Sequence, residues 1–188
     1  MIALAAANPP SCHLVVGSFV SGEWHKNAPT VRSELERRLN RMDEEAELFH
    51  SLCGRLAIPV AFGRPRYVAS GFGSRLTDLS LQLLQSAVSL AAHPDTNGRA
   101  YERVAITQRR PCRKGGELKD CTIFEEYLEV CQLLKATPFA RKLIFCSSNT
   151  DDYCSPGVVP HADVADDCSA AGLLFTTTLP WAVSELKT

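Results

Sequence analysis

From Val31 onward, apolar residues recur at spacings of three and four: Val31, Leu35, Leu39, Met42, Ala46, Phe49, Cys53 and Leu56. That period places them on one stripe of a long amphipathic helix. The other face carries Arg32, Glu34, Arg37, Arg38, Asp43, Glu44 and Glu47. Core packing is the reading the stripe favours, with a coiled-coil partner as the alternative. A shorter helix is expected ahead of it over 18–27, ending near Pro29. A second apolar helix is expected over 74–92, with Leu76, Leu79, Leu83, Ala87 and Leu90 on one face. A third is expected over 117–136, with Ile123, Phe124, Tyr127, Cys131 and Leu134 inward and Thr137-Pro138 as its stop. A short helix over 163–171 closes at Gly172, and Pro180 opens a last one. The apolar start Met1-Ile2-Ala3-Leu4 reads as the tail of a helix.

Between the helices lie short apolar runs of strand length: Leu14 to Val16, Leu143 to Cys146 and Leu173 to Thr177. Strands alternating with helices predict an α/β layered fold with a largely parallel sheet. At 188 residues this is most simply one domain, 1–188. Two stretches break the pattern. Residues 57–73 hold prolines and glycines and read as a loop. Residues 93–116 begin with the break His93-Pro94-Asp95-Thr96-Asn97-Gly98 and read as a basic loop region. Within it, Arg99 to Lys114 carries six basic residues against one acid, Glu102.

Composition narrows the function classes. A formal net charge of -1 argues against binding nucleic acid by bulk charge, so any such binding rests on local patches. None of the eight cysteines forms a CxxC pair, which argues against a zinc ribbon. Several sit in apolar patterns and are expected to be buried reduced thiols, Cys131 and Cys146 among them. The histidines show no HxxxH or HxH spacing, and Gly71-Phe72-Gly73-Ser74 is no nucleotide cradle. No stretch of about 18 apolar residues predicts a membrane span, and no basic leader precedes the first apolar residues. The cytoplasm is the expected location.

Candidate chemistry gathers at element ends. In an open parallel sheet, sites form beyond the carboxyl ends of strands. Ser147-Ser148-Asn149-Thr150-Asp151-Asp152 follows such a strand and offers hydroxyls, an amide and carboxylates. The bland reading of this stretch is a turn with a helix cap. Asp120 stands at a helix start, where it also serves as a cap. Glu23 is a third acid. Acids converging from separate segments would form an oxygen-donor site for Mg²⁺ or Mn²⁺.

Taken together, these segments resemble the PIN domain, a nuclease fold, and most closely the larger bacterial PIN-like proteins. Val15 to Trp24 resembles the family's strand and following helix, where a glutamate is the second acidic ligand, here Glu23. Lys119-Asp120-Cys121-Thr122-Ile123 resembles the helix start that holds the third acid. Phe145 to Tyr153 resembles the strand and loop with the last polar cluster, and Leu173 to Leu186 the closing strand and helix. The resemblance implies a three-layer sandwich around a mostly parallel sheet. It implies metal held by Glu23, Asp120, Asn149 and Asp152, with Glu23, Asp120 and Asp152 catalytic. It also implies hydrolysis of RNA, along whose backbone Arg109, Arg110, Arg113, Lys114 and Lys119 would run, and an antitoxin or homodimer partner. PIN domains open with a strand ending in aspartate. No such strand precedes Met1, so the resemblance implies a member lacking its first strand, with Asn149-Thr150 where relatives place an acid. The alternatives are a catalytically dead PIN-like binding or scaffold protein and another Mg²⁺ hydrolase acting on small phosphoesters.

Overall fold

The computed structural model describes residues 1–7, 11–61, 63, 66–91, 93–111 and 118–187, with Ile2 and Leu4 as backbone alone. Cys112, Arg113, Lys114 and Glu117 therefore lie outside the described residues. The chain divides into two compact units. Unit 1 comprises Ala3–Val20 and Val88–Thr188, and unit 2 comprises Ser21–Ala87.

Unit 1 is organised around one helix. After a single turn α1 (Ile2–Ala5), the strand β1 (Val15–Val16) pairs in parallel with β2 (Val88–Ser89). The helices α2 (Val20–Arg55) and α3 (Phe72–Gln85) intervene in sequence. Helix α4 (Pro94–Tyr101) follows, and runs directly into a π-helical turn, Glu102–Thr107. The long helix α5 (Leu118–Lys135) then buries Cys121, Thr122, Phe124, Glu125, Glu126, Leu128 and Cys131. Strand β3 (Leu143–Cys146), the turn α6 (Thr150–Tyr153), the pair β4 (Cys154–Ser155) and β5 (Val159–Pro160), helix α7 (Ala162–Ala171), strand β6 (Leu173–Thr176) and helix α8 (Leu179–Glu185) complete it.

The two longest strands, β3 and β6, pair in parallel from Leu143 with Leu173 to Cys146 with Thr176. Phe145 sits at the centre of an aromatic cluster with Phe124, Tyr127, Tyr153 and Phe175, ring centroids 5.1–5.7 Å from its own. Leu128, Cys131, Val164, Cys168, Ala171 and Leu173 complete the core between α5, α7 and the strand pair. Rings at these separations add to what area burial alone contributes.

Unit 2 is a pair of helices. α2 runs unbroken through Pro29, although proline costs a helix interior about 3 kcal/mol. α3 lies against α2: Arg32 Nη2 donates to Ser74 Oγ at 3.0 Å, and a Cβ on Gly73 would meet Glu36 Cγ at 3.4 Å. Asp43 accepts from the backbone N–H of Tyr67 at 2.7 Å and of Val68 at 3.1 Å. Leu39, Cys53 and Gly73 are the buried residues of these two helices.

Several expectations are corrected. A three-layer sandwich around a central parallel sheet is not what forms. The described residues are 61% helical, and the strands among them are short and pair only in twos. Parallel pairing itself is present, but runs of two to four residues give too few ladder bonds to build a layer. The stretch read as a basic loop is helical from Pro94 to Thr107. Pro94 occupies the first turn, where its missing N–H costs nothing, and the His93 ring accepts from Asp95 N at 3.3 Å. The helices expected over 18–27 and from Val31 are one helix. Cys121 is disulfide-bonded, whereas Cys12, Cys53, Cys131, Cys146, Cys154 and Cys168 are free, and Cys146 is exposed. Alternation along β3 explains the last point: Phe145 faces the core, so its neighbour Cys146 faces away. No helix among the described residues is long and apolar enough to cross a membrane.

Candidate functional site

The polar residues at one end of unit 1 are held by three segments. The first is the turn after β1. Gly17 N donates to the Tyr127 phenol oxygen at 2.9 Å, and Ser18 N donates to Glu126 Oε2 at 2.8 Å. The Ser18 hydroxyl makes a second, very short bond to Glu126 Oε1. Glu126 is 3% exposed, so its charge is stabilised by these donors and not by water. Burial raises the Tyr127 phenol above its ordinary pKa, the Gly17 N–H opposes the shift, and the neighbouring Glu126 charge adds to it.

The second segment is the first turn of α5, with Asp120 half-buried. The third is the loop after β3. Ser147 N continues the strand ladder to Thr176 O at 3.0 Å, and Ser147 Oγ accepts from Asn149 N at 3.2 Å. Asn149 caps α6: its amide nitrogen donates to Asp152 Oδ2 at 2.6 Å, and its Oδ1 accepts from Asp152 N at 3.4 Å. The turn-and-cap reading of this stretch is therefore realised, and it fixes the direction of the Asp152 carboxylate.

Tyr153 joins the second and third segments. Its ring is buried in the core and its hydroxyl donates to the Asp120 carbonyl at 3.4 Å. The phenol is pushed far above its ordinary pKa. Burial is the main cause, followed by the negative charge of Asp120, then Tyr127 and Asp152, with Arg103 opposing. Asp120 and Asp152, separate in sequence, thus bear on one buried hydroxyl.

The other expected site residues are placed differently. Glu23 belongs to unit 2, in the first turn of α2, and accepts from the Asn27 amide at 3.4 Å. Lys119 is exposed beside Asp120. Arg109 Nη2 donates to Asp167 Oδ1 at 2.7 Å and to Asp163 O at 3.2 Å. Arg110 donates through its backbone N–H to Asp163 Oδ2 at 2.7 Å. Arg113 and Lys114 lie outside the described residues. The charges of Arg99, Arg103 and Arg109 are met inside unit 1. Buried Arg103 bridges Glu125 and Asp167, the latter at 2.8 Å, and stands 5.1 Å over the Phe124 ring. Arg99 reaches Glu125 at 3.3 Å and Glu129 at 2.7 Å.

Tyr153, Glu126 and Ser18 were missed by the sequence reading. A signal existed for Glu126, since Glu125 and Glu126 interrupt an apolar helix at positions its period turns inward. Among the described residues, no group of three or more His, Cys, Asp or Glu side chains could hold a metal ion. What these segments offer is a carboxylate on each of two segments that Tyr153 ties together, Asp120 at the start of α5 and Asp152, held by the Asn149 amide, after β3. No protein-family model, curated protein or solved structure matches the chain.

Proposed function

We propose that unit 1 is a PIN-like phosphodiesterase acting on RNA, with Asp120 and Asp152 holding Mg²⁺ or Mn²⁺. The observation that carries this reading is that Tyr153, the neighbour of Asp152, reaches the Asp120 carbonyl and so brings the start of α5 to the loop after β3. The sequence segments that resemble PIN domains supply the order in which these acids occur. The donor chemistry fits a hard cation, which takes carboxylate, carbonyl and hydroxyl oxygens. With two carboxylates in place of a larger set, the site is a weak one. A bound ion would polarise the phosphodiester and lower the pKa of an attacking water. The chain's own residues do the positioning. Asn149 orients the Asp152 carboxylate. Tyr153 ties the start of α5 to the loop after β3. The Glu126 clamp on Ser18 keeps the turn after β1 against α5.

The test uses the full chain. Calorimetry with Mn²⁺ should show binding that Asp120→Asn and Asp152→Asn each weaken. Cleavage of a fluorescent single-stranded RNA should need Mn²⁺, stop with EDTA and be lost in both variants while their circular dichroism stays unchanged. Absence of Mn²⁺ binding together with absence of cleavage would refute the proposal, as would cleavage that survives both substitutions.

The second reading is a PIN-like binding or scaffold protein without catalysis. It is favoured by the engagement of Arg103 and Arg109 with Glu125 and Asp167, which leaves less cationic surface to hold a phosphate chain. It predicts that any RNA binding is indifferent to EDTA.

A further inference from the structure

Cys121 is disulfide-bonded, and the six other described cysteines are free, Cys146 among them although it is exposed. The chain has eight cysteines, which leaves Cys112 as the partner. Cys112 lies outside the described residues, nine positions before Cys121. Disulfide-built domains commit most of their cysteines to cross-links, whereas a single disulfide among free thiols is the pattern of redox sensing.

The described residues on both flanks are anchored without the bond. Before it, Arg110 donates its N–H to Asp163 Oδ2 at 2.7 Å, and its carbonyl accepts from Arg103 Nη1 at 2.8 Å. Pro111 is fully buried. After it, Cys121 is itself fully buried and packs with Ala100 and Val104. The main core of unit 1 is built elsewhere, around Phe145, so breaking the bond leaves that core intact. What the bond constrains is local: the first turn of α5 from Leu118, with Lys119 and Asp120. A first turn lacks intrahelical acceptors for its own N–H groups and frays more readily than the helix interior.

We propose that Cys112 and Cys121 form a thiol–disulfide switch that pins the first turn of α5 when oxidised and releases it when reduced. The reductant is a dithiol. Cys121 is buried, so attack falls on the Cys112 sulfur: a thiolate of the dithiol bonds to it, the protein S–S bond breaks, and Cys121 leaves as a thiolate that takes up a proton. The second thiol of the dithiol then displaces Cys112, which leaves as its thiol. The chain gains two S–H groups and the dithiol loses two, ending as a cyclic disulfide, so two electrons and two protons pass. The switch is independent of the activity proposed for unit 1.

Peptide mapping and hydrogen exchange of the full chain test this. After incubation with oxidised glutathione and alkylation without reductant, a cross-linked peptide should join Cys112 to Cys121. After dithiothreitol, both should be alkylated. The amides of Thr122, Ile123 and Phe124 bond to carbonyls of the first turn. They should exchange about tenfold faster or more in the reduced chain, with α7, β3 and the helical circular dichroism unchanged. Cys112→Ser should exchange like the reduced wild type in either buffer. The proposal is overturned if oxidised glutathione leaves Cys112 and Cys121 unlinked, or if the native chain keeps the bond in excess dithiothreitol. Reduction that unfolds unit 1 overturns it as well, because the bond is then a structural staple. So does exchange at 122–124 that is the same in both states, or a Cys112→Ser chain as protected as the oxidised wild type.

Discussion

Gly17→Ala should destabilise unit 1 by about 1–3 kcal/mol, the range for overpacking a filled site. A Cβ at this position would stand 2.8 Å from Glu126 Oε2, 3.2 Å from Ile123 Cγ2 and 3.4 Å from Ile123 Cγ1. The first contact decides the outcome. Glu126 cannot swing away freely, because Ser18 holds it through both its backbone N–H and its hydroxyl. If the carboxylate yields, charge-assisted hydrogen bonds of about 1.5–3 kcal/mol each are weakened. If it stays, the backbone after β1 must move and take the Tyr127 bond with it. Gly17 is not among the glycines with positive φ, so alanine meets no backbone strain there. Alanine also stiffens the unfolded chain, a gain of about 0.4–1 kcal/mol that offsets part of the loss. Urea unfolding followed by circular dichroism measures the net effect. In a Glu126→Ala background the carboxylate is gone, and the cost of Gly17→Ala should fall by about 1 kcal/mol or more. A single variant within about 0.5 kcal/mol of wild type, the range of an ordinary surface change, would refute the reasoning.

Arg103→Leu should cost about 3–5 kcal/mol, because it strands Glu125 and Asp167 without their buried partner. Arg99→Leu, at a side chain 41% exposed, should cost far less, and equal losses in urea titrations would contradict the burial argument. Burial raises the Cys131 thiol to about 11 and the Cys168 thiol to about 12. Both should resist a thiol reagent at neutral pH until the chain unfolds, while exposed Cys146 reacts first; native labelling of the buried pair at the Cys146 rate contradicts this. Glu129 is held below its ordinary pKa of 4.5 by the Thr96 hydroxyl, with Arg99 adding to the effect. Its contribution is present above that ordinary value and lost as pH falls through the lower folded value. Glu129→Gln should therefore flatten the acid side of the stability profile, and an unchanged slope would speak against the bond.

Unit 1 was the more legible part of the fold. α5, β3, α7, β6 and α8 lie within a residue or two of their expected bounds: β3 and β6 are plain apolar runs, α5 stops short of Pro138, α7 ends at Gly172, and Pro180 stands in the first turn of α8. β2 lies in the stretch expected to carry the second helix to residue 92; that helix ends at Gln85, and a strand of two residues has no period to reveal it. α4 escaped because a proline and a glycine read as breaks unless the His93 cap is seen beside them. The sheet was overestimated for a related reason: strand-like composition says nothing about how many partners a strand finds. At the candidate site, Asp120, Asn149 and Asp152 were read from their places at element ends. Tyr153 was not, since an aromatic residue one step past an acid pattern looks like core, which its ring is.

The pairing of β1 with β2 carries a consequence for how the chain finds its structure. Val15 and Val16 lie beside Val88 and Ser89, so everything between Val16 and Val88 must be looped out before this ladder closes. Closure entropy grows with the logarithm of loop length, about 0.6 kcal/mol for each doubling, and two residue pairs return little against it. Pairing gains when α2 and α3 have already formed, because their folding is local and shortens the free chain that must be gathered. The two helices that contribute nothing to the ladder thereby set the entropy of closing it. A linker joining Val16 directly to Val88 would have to match that closure by its own stiffness.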